Sequence, residues 1–296
     1  MKISRSPVIR DRQSNAVARD STQKSSTEVF AGHRATKRFG QNFLTDPRII
    51  NRIVDSLSPH VGETIIEIGP GKGALTAVLL ERDAKVVAIE LDKNVVPLLS
   101  ERFATYPNFK LLHADALDVN FCEEALPQQK TKLVANLPYN ISTAILQRLI
   151  SPRPCLDEMV LMLQKEVVER IQAPAGSSER GYLSVLVETY CETEKLFDVA
   201  PGAFQPRPKV WSSVMRLVFR PKLPVGVKNE DSLLSVVSAG FMQKRKTILN
   251  NLRNATGTLG EVIKRNGGAS IVLCRAEVEL QRRAETLTLD DWGRIT

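Results

Sequence analysis

Thr64-Ile65-Ile66-Glu67-Ile68-Gly69-Pro70-Gly71-Lys72-Gly73 is an apolar run that breaks into a glycine-rich turn. The run reads as a buried strand, and glycines at every second position free the backbone to turn sharply and to approach a ligand. A helical pattern follows, with Leu75, Val78 and Leu79 inward, and ends near Asp83. Lys85–Ile89 is a second strand, closed by Glu90. Strand, glycine turn, helix and strand make the βαβ unit of an open parallel sheet, whose ligands bind at the carboxyl ends of the strands. An acid closing the second strand suits a ribose diol. Gly69, Gly71 and Ala74 also satisfy the loose dinucleotide fingerprint, so a nicotinamide enzyme stands among the candidates at this point.

Further along, Val95–Phe103 reads as a helix and Lys110–His113 as a third strand, followed by Asp115-Ala116. An acid there can accept from an adenine N6 amine, or simply cap a turn. The fourth strand, Lys132–Ala135, delivers Asn136-Leu137-Pro138-Tyr139, and a helical pattern runs through Ile141–Ile150. The exocyclic amine of a base is a poor nucleophile because its lone pair is delocalised into the ring. The Asn136 oxygen and the Leu137 or Pro138 carbonyl can accept its two hydrogens and localise that lone pair, while Tyr139 stacks on the base. A plain strand-to-helix turn would use the same Asn and Pro for turn geometry alone. Met159–Leu163 is a fifth strand, Lys165–Ile171 and Tyr182–Tyr190 are helices, and Ala173–Ser178 reads as a mobile loop between them. Two β-type runs, Lys195–Val199 and Ser212–Phe219, flank Phe204-Gln-Pro206-Arg-Pro208-Lys-Val210. Its prolines keep that loop stiff and extended, which presents Phe204 as a second stacking surface unless the ring packs into the core.

Toward the N-terminus, Asp46 stands as an N-cap before Pro47, ahead of an amphipathic helix carrying Ile49, Ile50, Ile53, Val54 and Leu57. Residues 1–35 are rich in Ser, Arg, Gln and Thr with little apolar periodicity, and read as a disordered tail. The apolar core of a secretory signal is missing from it. Its Arg and Ser content also fits an organellar transit peptide, against which Asp11, Asp20 and Glu28 argue. Toward the C-terminus, Pro221–Lys228 reads as a linker, and beyond it Leu233–Met242, Lys246–Arg253, Leu259–Lys264 and a stretch through Trp292 are helical.

The chain has 296 residues, 43% of them hydrophobic, enough for one large domain and a small appendage, and no run is long enough to cross a membrane. A net charge of +8 favours a polyanionic partner, and Lys244-Arg245-Lys246 with Arg253 forms a cluster suited to phosphates. Cys122, Cys155, Cys191 and Cys274 are far apart in sequence and read as reduced, mostly buried thiols of a cytoplasmic protein. His33, His60 and His113 form no ligand set, and no metal site is expected.

Taken in order, FGQNFL, IEIGPGKG, Glu90, Asp115-Ala116, NLPYNIS, FQPRPKVWS and FMQKRKTILNNL closely resemble the KsgA family of ribosomal RNA small-subunit adenine N6,N6-dimethyltransferases, from about Lys37 to Leu252. The resemblance implies an α/β fold: a Rossmann-like S-adenosylmethionine-dependent methyltransferase domain over residues 36–220 and a small all-helical, RNA-binding domain over 221–296. It further implies that Asn42, Leu44, Gly69 and Gly71 line the donor, that Glu90 binds its ribose, and that Asp115 with Ala116 meets its adenine. Asn136 and the Pro138 region would grip the target amine, with Tyr139 and Phe204 holding the flipped base. The implied substrate is small-subunit ribosomal RNA in a precursor particle, two adjacent adenines being dimethylated by a monomeric, cytoplasmic enzyme. The segment 172–181 departs from the family pattern, where a tighter Gly-rich, Arg-bearing segment is expected. Three other readings stand beside this one. They are a DNA adenine methyltransferase, a large-subunit enzyme conferring antibiotic resistance, and a non-catalytic assembly factor that keeps the fold.

Overall fold

The structure, a computed structural model, describes residues 42–124, 131–137, 142–150, 155–223 and 229–296. The tail, Pro138, Tyr139 and most of the linker lie outside the described residues. A short strand β1 (Phe43–Leu44) precedes helix α1 (Pro47–Leu57). Then β2 (Thr64–Ile68), α2 (Ala74–Glu81), β3 (Lys85–Glu90), α3 (Val96–Arg102) and β4 (Phe109–His113) alternate. They are followed by α4 (Phe121–Glu124), β5 (Thr131–Asn136), α5 (Ser142–Ile150), β6 (Leu156–Gln164), α6 (Lys165–Ile171) and α7 (Tyr182–Tyr190). Strands β7 (Cys191–Val199), β8 (Phe204–Gln205) and β9 (Ser212–Phe219) close this part of the chain.

Seven strands form one sheet in the order β4-β3-β2-β5-β6-β9-β7. The first five are parallel, and β9 runs antiparallel between β6 and β7. Period-two alternation divides the side chains between two faces. Ile65, Val86, Ala88, Val134 and Val160 meet α1, α2 and α3, while Ile66, Val87, Leu133, Ala135 and Leu161 meet α4 to α7. With helices on both faces the central strands are apolar throughout, hence the unbroken runs in the sequence. The chain leaves β2 toward β4 in one direction and toward β6 in the other. That reversal opens a crevice at the carboxyl ends of β2 and β5.

Helix α1 begins as its sequence indicates, with the Asp46 carboxylate accepting from the Arg48 N–H and Pro47 in the first turn. Five further helices, α8 (Glu230–Gly240), α9 (Ile248–Arg253), α10 (Gly257–Arg265), α11 (Ala269–Arg275) and α12 (Leu289–Ile295), enclose a core of their own around Trp292, Leu252, Leu273 and Leu287. Val185 of α7 belongs to that core, so the helical part is continuous with the sheet layer. Gly240 is needed there, because a Cβ would stand 2.5 Å from the Trp292 ring.

Two sequence expectations are corrected. The 173–181 segment is tied down, not mobile: the Gly176 N–H donates to the Glu285 carbonyl at 2.8 Å, and the Arg180 guanidinium, buried, bonds the Ala173 carbonyl at 2.9 Å and pairs with Glu188. The Arg expected of this segment is present, but it serves as an internal brace. Cys122 and Cys155 form a disulfide with Cα atoms 5.3 Å apart, across 33 residues of sequence. Spacing rules see only local pairs, and folding α4 back beside the start of β6 brings these two together. Cys191 is a buried free thiol, pushed up to about 12 by desolvation, and Cys274 is exposed.

Candidate active site

At the end of β2 the backbone enters left-handed conformations at Gly69, Gly71 and Gly73, with φ of 65°, 57° and 73°. A Cβ on Gly69 would meet nothing within 4 Å, so open space lies against its backbone, whereas one on Gly71 would press on the Phe43 ring at 3.0 Å. The turn is braced from below. Arg102 donates from Nη1 to the Lys72 and Gly73 carbonyls, and Thr76 Oγ1 donates to the buried Glu67 carboxylate at 2.6 Å. Sequence reasoning alone misses Glu67 and Arg102, although an acid inside an apolar strand is itself a signal.

Glu90, at the end of β3, is largely buried, and desolvation raises its pKa from the ordinary carboxylate value. Its carboxylate accepts from the Asp92 N–H at 2.8 Å, and the nearby Gly71 amide of the glycine turn favours its ionised form. Past β4, half-buried Asp115 accepts the Leu117 N–H at 2.9 Å, so it caps its own turn, and Ala116 is buried beside it. Each carboxylate has more lone pairs than these bonds engage.

Asn136 ends β5, and its Nδ2 donates to the backbone carbonyl of Asn42 at 3.2 Å. A carbonyl can only accept, so the amide nitrogen must face Asn42 and Oδ1 is turned elsewhere. Asn42 is held there by β1, which pairs antiparallel with β8 through Phe43↔Gln205 and Leu44↔Phe204. The ribbon thus brings together residues about 160 positions apart. It also corrects one expectation: the Phe204 ring is only 3% exposed and packs with Leu44 in the core, so it offers no open stacking surface. Two-residue strands carry no periodicity, so nothing in the sequence fixes which face Phe204 takes. Leu137, next after Asn136, is buried, its N–H bonded to the Met162 carbonyl at 3.1 Å.

The open backbone at Gly69, the desolvated Glu90 and the acid at Asp115 follow one another along a single strand-edge crevice, and they fit a donor with an amino-acid end, a ribose and an adenine. A family model described as "Ribosomal RNA adenine dimethylase" matches residues 32–292. The chain belongs to that family. A curated relative from Hahella chejuensis named "Ribosomal RNA small subunit methyltransferase A" is 46% identical over 89% of this chain and 92% of its own length. Among solved structures, a dimethyladenosine transferase from Plasmodium falciparum is 26% identical, with a TM-score of 0.70, covering 86% of this chain and 95% of that one. The 23S rRNA methyltransferase ErmE is similar at 25% identity and a TM-score of 0.61, over 86% of this chain and 98% of that one. As a member of that family, the chain is an S-adenosylmethionine-dependent methyltransferase of Rossmann-like fold. The nicotinamide and DNA-directed readings fall with that membership.

Proposed function

We propose that this chain methylates N6 of adenines in a loop of small-subunit ribosomal RNA, with Asn136 holding the target amine. The observation that carries the assignment is the Asn136–Asn42 bond. It engages the amide nitrogen at the N-terminal ribbon, and in this reading Oδ1 is the atom that faces the target amine. From there Oδ1 accepts one N6 hydrogen and draws the amine lone pair out of conjugation. S-adenosylmethionine supplies a methyl group already activated on a sulfonium. The residues of the chain therefore have two tasks, alignment and stabilisation of the positive charge growing on N6, both of which a fixed amide dipole serves without a general base. Glu90 and Asp115 hold the ribose and adenine of the donor, beside the open backbone at Gly69. Pro138 and Tyr139 complete the grip on the flipped base in this reading.

The small subunit is favoured over the large by likeness, since the 46% identical relative carries the small-subunit name and the large-subunit enzyme is similar at only 25%. Two adjacent adenines in a precursor particle, a monomeric state and a cytoplasmic site of action complete the proposal. Among the described residues no helix is long and apolar enough to cross a membrane.

The test is to offer labelled donor with unmethylated small-subunit particles, large-subunit RNA and DNA to wild type and Asn136→Ala. Label on small-subunit adenine N6 is expected with wild type. The Ala variant should lose turnover by roughly a hundredfold or more while RNA affinity holds, as for an interaction made only in the transition state. Full turnover in Asn136→Ala would remove the residue from the reaction.

A further inference from the structure

The segment that enters β9 carries an exposed aromatic. Trp211 is 51% exposed, Val210 beside it is also exposed, and Arg207 and Lys209 extend from the same loop into solvent. A lone exposed ring is ordinary on a soluble surface, so its position and its charged neighbours decide what it can do. This one is also fixed in place. Pro208 is buried, the Trp211 carbonyl accepts from the Lys165 N–H at 2.9 Å, and Ser212 enters the sheet directly after it.

Register locates it relative to the reaction centre. Asn136 pairs with Met162 on β6, and Gln164, two residues farther along β6, pairs with Ser212 on β9. Trp211, one residue before Ser212 on an antiparallel strand, therefore stands two strand spacings from Asn136, roughly 10 Å across the sheet, and about 10 Å farther along it, on the same carboxyl edge. That is the reach of a neighbouring nucleotide, not of the target base.

The surrounding charge is of the sign a nucleic acid needs. Among the described residues neither Arg207 nor Lys209 has an acidic partner. Asp198, in register with Ser213, is already held by Lys165 Nζ at 3.2 Å and Lys195 Nζ at 2.8 Å. With Arg207 and Lys209 added, four cations at this edge outnumber Asp198 and the exposed Glu166 that follows Lys165. With Phe204 packed in the core, Trp211 is the aromatic that the 204–211 segment exposes.

We propose that Trp211 is a stacking platform for a nucleotide flanking the target adenine, with Arg207 and Lys209 meeting the adjacent phosphates. The inference rests on the RNA-methyltransferase reading above. An aromatic face takes any base, so the platform contributes affinity and register rather than sequence choice.

The chain has two tryptophans, and the other, Trp292, is fully buried, so a fluorescence change on adding RNA reports Trp211. Short single-stranded RNA containing the methylatable loop should quench emission, with a midpoint matching filter binding. Trp211→Ala should raise the RNA concentration for half-maximal methylation roughly tenfold, as loss of one stacked base does, with kcat and donor affinity unchanged. Trp211→Phe should restore most of the loss, which a merely structural role would not require. Unchanged emission with RNA demonstrably bound, or an unaltered half-saturating concentration in Trp211→Ala, overturns the platform. A response to intact particles with none to naked RNA assigns this face to a ribosomal protein and likewise overturns it. Failure of the wild type to methylate any RNA is a different result, which removes the parent reading itself.

Discussion

Glu67 sits in the middle of β2 with 1% of its surface exposed, directly beneath the glycine turn. Burial pushes its pKa up to about 7; the Thr76 hydroxyl opposes that rise, Glu90 adds to it, and Arg102 opposes it. Below about pH 4.5 the carboxyl is protonated whether the chain is folded or not, and the folded state has its full stability. As pH rises the unfolded chain releases this proton first, while the folded chain keeps it until about 7. Stability therefore falls across that window and levels off above it, by about 3 kcal/mol. Glu67→Gln keeps an oxygen for the Thr76 hydroxyl but has nothing to ionise. Relative to wild type it should gain stability between pH 4.5 and 7, measured by denaturant unfolding at a series of pH values. A parallel pair of pH profiles would show that Glu67 titrates alike in both states. Because the same carboxylate underlies Gly69–Gly73, the variant also asks whether donor affinity tracks its charge.

Elements held by local rules follow the sequence closely, and α6, α7 and β9 span the residues that the apolar pattern marks. What the pattern cannot carry is the meeting of distant segments. β1 and β8 are two residues each, yet their pairing sets Asn42 against Asn136 and turns Phe204 inward. The anchoring of 173–181 to Glu285, and the Cys122–Cys155 link, are likewise tertiary facts with no local signature. By contrast Gly69, Glu90, Asp115 and Asn136 are legible, because each lies at or just past the end of one of the parallel strands of the sheet and topology alone brings them to one edge. The turn between α8 and α9 shows the same division. Lys244, Arg245 and Lys246 are visible in sequence as a charge run, but their presentation depends on buried Asn251, whose Nδ2 donates to the Gly240 carbonyl at 2.6 Å and the Gln243 carbonyl at 3.2 Å. Asn251→Ala strands both carbonyls, and should cost about 1–3 kcal/mol in thermal unfolding. RNA affinity should fall further than donor affinity, since the helical part and not the crevice is disturbed.

At the scale of the molecule, two cores meet at α7: the sheet layers position donor and base, and the helical part, continuous through Val185, displays a basic surface. Lys244, Arg245, Lys246 and Arg253 are all exposed, and none has an acidic partner among the described residues. Four such cations on one structured turn and the helix after it carry a large part of a net charge of +8. If they meet phosphates, each pairing releases a condensed counterion, and the logarithm of RNA affinity should fall linearly with the logarithm of salt concentration. Replacing all four with Gln should flatten that slope by about 0.7 for each phosphate left unneutralised on a single-stranded loop, and by somewhat more on duplex. Turnover at saturating RNA should hold, because none of the four touches the crevice, and calorimetry should give an unchanged donor affinity. The measurement is RNA binding by filter retention across a salt series, with the wild type alongside. A parallel shift of the line without a change of slope would mean that the cations tune the protein's general field, and an unmoved line would return them to the status of a solvated face. Slope and turnover together thus separate a docking surface in the helical part from the catalytic edge of the sheet, which one polyanion must span for both to be used at once.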